Sequence, residues 1–171
     1  GVQRSQGDPL GSVQALLDRK TSLRRKAVGA SGAVQMIGAN MDCVIVVQSC
    51  HTDFNLKRLE RYLTMVAEGG ALPWVLLTKT DLVEPEVLAD QIAQIRGAGI
   101  TAPVMTLSNV TQAGIDELKR MLVPGQTYCF VGSSGVGKST LINALIGHAQ
   151  QSTASVSGTG EGKHTTVRRE L

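Results

Sequence analysis

The sequence lacks a long apolar run, an apolar N-terminal segment and a cysteine framework. No stretch approaches the roughly 20 apolar residues that a helix needs to cross a bilayer. The first residues, GVQRSQG, contain no apolar core of the kind that marks a secretory signal. Three cysteines are present, an odd number without metal-ligand spacing, and we expect Cys43 and Cys129, which lie inside apolar runs, to be reduced and buried. These features favour a cytoplasmic protein without a membrane contact.

The sequence also carries little net charge. A formal charge of +3 is too small to require a polyanionic partner. Basic residues nevertheless cluster at positions 19–20, 24–26 and 168–169, and Lys163 lies near the last group. A solvated surface is the simpler interpretation of such clusters, and an RNA-facing patch is the alternative.

Apolar runs alternate with helical patterns along the chain. Hydrophobic residues make up 42% of the 171 positions, which is enough for one domain with a sizeable core. The pattern predicts buried strands at residues 43–47, 74–77, 104–105 and 128–131, and helices at 55–68, 85–95, 115–122 and 138–146. This alternation predicts an α/β fold with a largely parallel sheet.

The segment after the fourth predicted strand, residues 132–139, fits the P-loop pattern G-x-x-x-x-G-K-[ST]. Glycines let successive backbone N–H groups point at a phosphate, and the following helix adds the positive end of its dipole. Lys138 is predicted to reach the β- and γ-phosphates, and Ser139 to ligate Mg²⁺. A glycine-rich strand–helix connection with an exposed lysine is the plain alternative. The predicted phosphate-binding residues are Gly132, Ser133, Ser134, Gly135, Val136, Gly137, Lys138, Ser139 and Thr140.

A second motif, Thr78-Lys79-Thr80-Asp81, follows the second predicted strand and resembles the guanine-reading pattern [NT]-K-x-D. The carboxylate of Asp81 can accept hydrogen bonds from N1–H and the 2-amino group of guanine, a donor pattern that adenine lacks. The aliphatic stem of Lys79 can lie along the base. Thr78 stands where Asn is more usual, which removes a side-chain amide and would loosen that corner. The alternative role for Asp81 is that of a helix-capping acid.

The loop after the third predicted strand is the third candidate, with Ser108 and Asn109 in place to supply backbone N–H groups to guanine O6. It resembles the S-A-x signature, with Asn109 where that signature has Ala. In the chain the base-reading motif precedes the phosphate-reading motif, the reverse of the Ras-like order. Both loops can still meet at one edge of a parallel sheet, so the order predicts a circularly permuted GTPase with the three-layer P-loop NTPase fold.

The sequence resembles the RsgA or YjeQ family of GTPases that depend on the small ribosomal subunit. The resembling segments are RRK at 24–26, ANMD at 39–42, DFNL at 53–56, RLERYL at 58–63, TKTDL at 78–82, GSSGVGKSTL at 132–141, GKHTT at 162–166 and REL at 169–171. GSSGVGKST with a downstream GKHTT separates this family from other permuted GTPases. The resemblance implies GTP hydrolysis with Mg²⁺, late maturation of the small (30S) subunit, contact with its rRNA and a monomeric protein.

The resemblance also assigns residues 150–166 to switch I, which orders around the γ-phosphate and Mg²⁺. Either Thr165 or Thr166 would supply the switch hydroxyl to Mg²⁺. His164 is the candidate that orients the attacking water, with a solvated surface histidine as the alternative. Lys138 and His164 are thus the predicted catalytic residues.

The family pattern further implies a domain division. Residues 1–30 would be a remnant of an N-terminal OB-fold barrel and its linker, with residues 13–17 as its last strand. Residues 31–171 would be the GTPase domain, ending after switch I and before the D-T-P-G motif, with zinc bound only in a later module. Two other functions stay open: a nucleotide-binding module that docks on RNA or the ribosome without hydrolysis, and a P-loop ATPase or kinase in which residues 78–81 are incidental.

Overall fold

The computed structural model describes residues 2–3, 12–13, 15–26 and 34–147. Its first elements are two antiparallel pairs. Strand β1 (Val2–Gln3) pairs with β2 (Ser12–Val13), and β3 (Ser22–Lys26) pairs with β4 (Val34–Ala39). The strand predicted at residues 13–17 is therefore wrong at residues 15–17. Residues 15–17 adopt no regular structure, and Leu16 and Leu17 are exposed, without a core to hold them in a strand.

Four parallel strands form the central sheet in the order β7-β6-β5-β8. They are β5 (Cys43–Ser49), β6 (Leu72–Thr78), β7 (Val104–Thr106) and β8 (Tyr128–Gly132). All seven residues of β5 are buried, as expected of a strand with neighbours on both edges and layers on both faces. The predicted α/β fold with a parallel sheet is confirmed.

Within the described residues four helices cover the sheet: α1 (Leu56–Glu68), α2 (Pro85–Gly97), α3 (Ile115–Met121) and α4 (Lys138–Ile146). Helix α1 begins where it does because the Asn55 side chain accepts a hydrogen bond from the backbone N–H of Arg58 at 2.9 Å. A 3-10 turn at Thr80–Leu82 follows β6. Within residues 34–147 none of these helices has the length and apolar character to cross a membrane.

The core lies in two clusters, one on each face of the sheet. Successive side chains of a strand point to opposite faces, and β5 therefore contributes Val44 and Val46 to one cluster and Ile45 and Val47 to the other. The first cluster includes residues of α1 and α2, and the second includes residues of α3 and α4. This arrangement gives the predicted three layers.

The antiparallel hairpin of β3 and β4 was not predicted from the sequence. Strand β3 consists of Ser22, Leu23 and three basic residues, so it has no apolar alternation. Leu23 alone enters the core, at 2% exposure, in the cluster that contains α1. The backbone N–H of Ser22 donates to the carbonyl of Gly69 at 2.9 Å, which ties the hairpin to the end of α1. Arg24 and Arg25 remain exposed on its surface.

The three cysteines are free thiols. Cys43 is buried on β5, and burial together with the nearby charge of Asp42 raises its pKa to about 12. Burial also raises the pKa of Cys129, which is only half-buried. Both thiols therefore stay protonated near neutral pH. The predicted burial is confirmed for Cys43, whereas Cys129 is only partly buried.

We predict that Leu59→Ala lowers the free energy of unfolding by about 2–5 kcal/mol, because it leaves a cavity between α1 and the sheet. Leu59 is 0% exposed. The matched control is Glu60→Ala, an exposed neighbour on the same helix, for which we expect a change within about 0.5 kcal/mol. Urea denaturation of both variants measures the difference. Equal losses would contradict the place of Leu59 in the core.

Candidate nucleotide-binding site

Three loops meet at the edge of the sheet where the parallel strands end. The P-loop follows β8, residues 79–82 follow β6, and residues 107–109 follow β7. Ligands of open α/β sheets bind at this edge because the strands' carboxyl ends open onto it. The structure therefore brings together all three motifs that the sequence proposed for a nucleotide.

The glycines of the P-loop are required by close approach as well as by backbone angle. A Cβ on Gly132 would lie 2.2 Å from the carbonyl oxygen of Val47, so only glycine lets β8 leave the sheet this close to β5. Gly137 has φ +95°, in the left-handed region, and a Cβ there would lie 2.8 Å from Nδ2 of Asn109. Helix α4 begins at the next residue, so its N-terminal amides open onto the loop.

Lys138 folds back across the P-loop. Its Nζ donates to the carbonyl oxygens of Gly132 at 2.9 Å and Ser133 at 2.6 Å. Burial lowers the pKa of Lys138, and the charge of Asp53 partly opposes that effect. The ammonium group is thus held at the loop mainly by uncharged acceptors, and a phosphate group would be a stronger partner.

Asp53 is a residue near the site that the sequence did not assign to it. It lies in the loop between β5 and α1, and its Oδ1 is 2.7 Å from Nη2 of Arg58. Nη2 also donates to the Asp53 backbone carbonyl. The other carboxylate oxygen, Oδ2, is buried and has no hydrogen-bond partner among the described residues. In the sequence Asp53 stands out only as part of the segment at residues 53–56 that resembles the family. That resemblance assigns no function to Asp53.

Thr78 connects the base-reading loop to the P-loop. It is 0% exposed, and its Oγ1 lies 2.7 Å from the carbonyl oxygen of Val136 and 3.2 Å from that of Gln48. A hydroxyl has one hydrogen to donate, and the shorter contact to Val136 is the better acceptor geometry. The threonine hydroxyl thus makes a direct bond to the phosphate loop, which argues against the loosening expected from the missing Asn side chain.

Asp81 is oriented by Ser108. The Ser108 hydroxyl donates to Oδ1 of Asp81, and its oxygen accepts from the backbone N–H groups of Val110 and Thr111, each at 3.1 Å. Asp81 lies inside the 3-10 turn, whose N-cap is Lys79, and the N-cap of α2 is Glu84, which disfavours the capping alternative for Asp81. Lys79 has φ +61°, a conformation that a non-glycine residue rarely adopts and that often marks a functional site.

Asn109 reaches the P-loop from the third loop. Its Nδ2 donates to the carbonyl oxygen of Gly137 at 3.2 Å. Its Oδ1 is buried and has no hydrogen-bond partner in the part of the chain that the structure describes. The sequence assigned the backbone N–H of Asn109 to the base and gave its side chain no role; the structure places that side chain against the phosphate loop.

The predicted residues His164, Thr165 and Thr166, together with Lys163 and residues 168–169, lie outside the described residues. For Mg²⁺ the described candidate ligand is Ser139, in the first turn of α4. A hydroxyl oxygen fits this ion, which takes one or two protein ligands and completes its shell with phosphates and water. Among residues 2–3, 12–13, 15–26 and 34–147, no three His, Cys, Asp or Glu side chains group closely enough to hold a metal on their own.

The topology and the site define the class of protein. A parallel sheet with a base-reading loop after β6 and a P-loop after the later β8 is the fold of a circularly permuted GTPase. Two solved structures are similar to it. YjeQ from Thermotoga maritima is 26% identical with a TM-score of 0.64, covering 79% of this chain and 45% of that one. YloQ, described as a circularly permuted GTPase, is 27% identical with a TM-score of 0.60, covering 84% of this chain and 47% of that one.

The family model described as RsgA GTPase matches residues 16–171. The chain therefore belongs to the RsgA GTPase family, and the resemblance found in the sequence is confirmed. It is similar to the small ribosomal subunit biogenesis GTPase RsgA of Methanosarcina acetivorans, with 46% identity over 161 residues, which are 93% of this chain and 43% of that protein. The chain spans less than half the length of these relatives.

We predict that Lys138→Met weakens GDP binding at least about tenfold, because a charged hydrogen bond to phosphate contributes about 1.5–3 kcal/mol. The same change should preserve or raise the stability of the nucleotide-free protein, since it removes a partly buried cation. The folded protein holds this proton less tightly than the unfolded chain, whose lysine pKa is 10.5. The charged Lys138 therefore lowers the free energy of unfolding at neutral pH. This loss disappears as the pH rises toward 10.5 and the lysine loses its proton in both states.

Isothermal titration with GDP and thermal unfolding between pH 7 and 10 measure both effects. Lys119→Met is the matched control, because Lys119 is an exposed lysine of α3. If Lys138→Met unfolds at a lower temperature while its GDP affinity stays unchanged, Lys138 is a structural residue.

Proposed function

We propose that this protein binds GTP and GDP with Mg²⁺, hydrolyses GTP to GDP and phosphate, and acts in late maturation of the small ribosomal subunit. The main support for the proposal is that hydrogen bonds connect the guanine-type motif at residues 78–81 to the P-loop. Asp81 is held by Ser108, and the loops that contain them are bonded to the P-loop through Thr78 and Asn109. Family membership supports the same function.

The guanine base enters between the loops after β6 and β7. Asp81 accepts hydrogen bonds from N1–H and the 2-amino group, and Ser108 keeps the carboxylate in the orientation that this pairing needs. Backbone N–H groups at Ser108 and Asn109 serve guanine O6. The stem of Lys79 covers the base. Adenine presents an acceptor at N1 and has no 2-amino group, so it leaves the Asp81 carboxylate unpaired.

The phosphates lie in the P-loop, residues 132–140. Lys138 exchanges the carbonyls of Gly132 and Ser133 for the β- and γ-phosphate oxygens, and the N-terminal amides of α4 donate to the same groups. Ser139 would ligate Mg²⁺ together with a hydroxyl of Thr165 or Thr166, and the ion would supply charge neutralisation for the phosphates. His164 orients the attacking water. Catalysis is positioning and charge stabilisation, with no covalent intermediate on the protein.

A ribosomal partner is supported by the names of the relatives and by the exposed arginines of the hairpin. The protein similar to this chain in Methanosarcina acetivorans is called a small ribosomal subunit biogenesis GTPase. Arg24 and Arg25 are exposed on β3, and Arg25 is held by Gln35, with 3.0 Å between Nε and Oε1. Basic side chains on a fixed hairpin suit contacts to rRNA phosphates. We further propose a cytoplasmic, monomeric protein.

The activity test is phosphate release from GTP with and without purified small ribosomal subunits. We expect slow release from the chain alone and faster release with subunits, because the family resemblance implies a GTPase that depends on the small ribosomal subunit. Lys138→Met in the same assay should abolish the stimulated release. Tight GDP binding without release under either condition would contradict hydrolysis and favour a nucleotide-dependent docking module.

For the base we predict that Asp81→Asn weakens GDP binding by about ten- to a hundredfold and improves binding of xanthosine diphosphate. The amide presents a donor where guanine has the 2-amino donor, whereas xanthine has a carbonyl acceptor there. Competition titrations with GDP, XDP and ADP measure the preference.

The matched control is Asp90→Asn on α2, which makes the same charge change at an exposed carboxylate that accepts from Gln94 at 2.7 Å. Unchanged preference in Asp81→Asn would remove Asp81 as the reader. Tighter binding of ADP than of GDP to the unaltered protein would overturn the guanine assignment itself.

A further inference from the structure

We propose that Asn109 is a positioning residue that holds the P-loop in its phosphate-binding conformation from the loop after β7. The inference rests on the proposed nucleotide binding. It assigns the side chain of Asn109 to the phosphate half of the site, while the backbone N–H of the same residue stays available to the base.

The Gly137 carbonyl has two hydrogen-bond donors. The backbone N–H of Leu141 donates to it at 3.0 Å, which is the first helical bond of α4, and Nδ2 of Asn109 donates at 3.2 Å. A carbonyl oxygen has two lone pairs, so this acceptor is fully used. The peptide unit that joins Gly137 to Lys138 is planar, and fixing its C=O therefore fixes the direction of the Lys138 backbone N–H. That N–H belongs to the set that a P-loop points at phosphate.

The identity of the atom that faces Gly137 follows from chemistry. A backbone carbonyl can only accept, so the Asn109 atom opposite it must be the amide nitrogen. Oδ1, the other end of the amide, is buried without a hydrogen-bond partner among the described residues. Among the described residues, the hydrogen bond to the Gly137 carbonyl is therefore the one that fixes the side-chain amide of Asn109.

Thr78 holds the adjacent peptide unit of the same loop. Its hydroxyl donates to the carbonyl of Val136, which belongs to the peptide that carries the Gly137 N–H. Two consecutive peptides of the P-loop are thus fixed from outside, one by the loop after β6 and one by the loop after β7. Because Thr78 has no side-chain amide, Asn109 supplies the amide from the neighbouring loop. When the base fixes the loops after β6 and β7, these two hydrogen bonds therefore also fix the P-loop conformation that binds the phosphates.

The test measures binding of GDP and inosine diphosphate to the unaltered chain, to Asn109→Ala and to Asn109→Asp. We expect Asn109→Ala to weaken both nucleotides by the same factor of about three to ten, the loss of one neutral hydrogen bond. Asn109→Asp keeps the shape of the side chain but places an acceptor opposite the Gly137 carbonyl. We therefore expect it to weaken both nucleotides equally, and by a larger factor than Asn109→Ala. The matched control is Glu117→Ala, an exposed residue of α3, the helix that follows this loop, for which we expect no change.

A spectroscopic measurement separates positioning from a general loss of stability. The ³¹P resonance of the β-phosphate of bound GDP should shift in both Asn109 variants and stay in place in Glu117→Ala. Unchanged affinity with an unchanged ³¹P shift overturns the inference. A change confined to the ratio of GDP to inosine diphosphate affinity also overturns it, since Asn109 would then read the 2-amino group of the base. If the unaltered chain does not bind GDP, the proposed function itself fails.

Discussion

The fully buried strand β5 is the constraint on which the rest of the structure depends. Its seven residues pair with β6 along one edge and with β8 along the other, and its alternating side chains supply both core clusters. Parallel pairing brings the ends of β6 and β8 to the same edge, so the base-reading loop and the P-loop become neighbours. The missing Cβ of Gly132 then lets the P-loop leave the sheet directly beside Val47.

Contacts across this edge make one site from segments that lie far apart in the chain. Thr78 bonds to Val136 and Asn109 bonds to Gly137, while Ser108 bonds to Asp81. Polar groups of this kind are costly when buried without partners, and most of them here are satisfied by one another. Lys138 differs from these groups because it is a partly buried cation whose hydrogen-bond partners are uncharged carbonyls. A polyanion would be a better partner for its charge. We propose that the site gives up some stability of the protein in exchange for affinity toward phosphate.

Sequence reasoning located the helices of the P-loop domain well and the hairpin of β3 and β4 not at all. Helix α4 occupies the predicted residues, and the other helices differ by one or two residues at their ends. Each helix packs one face against the sheet, and its apolar residues therefore recur at helical spacing. That spacing can be recognised in the sequence alone. Strand β3 has one core residue, Leu23, and three basic ones, and its position depends on a bond from Ser22 to Gly69 that no local pattern encodes.

By itself the sequence determined the P-loop at residues 132–139, the guanine-type motif at 78–81, their permuted order and the α/β class, because these features are local patterns of residue type and spacing. Only the tertiary structure decided how the motifs touch. It gave the Thr78 hydroxyl the Val136 carbonyl as a partner, placed the Asn109 side chain against the phosphate loop, and brought the charge of Asp53 near Lys138. These contacts depend on strand order and on distances of a few ångströms between loops, which spacing along the chain does not contain.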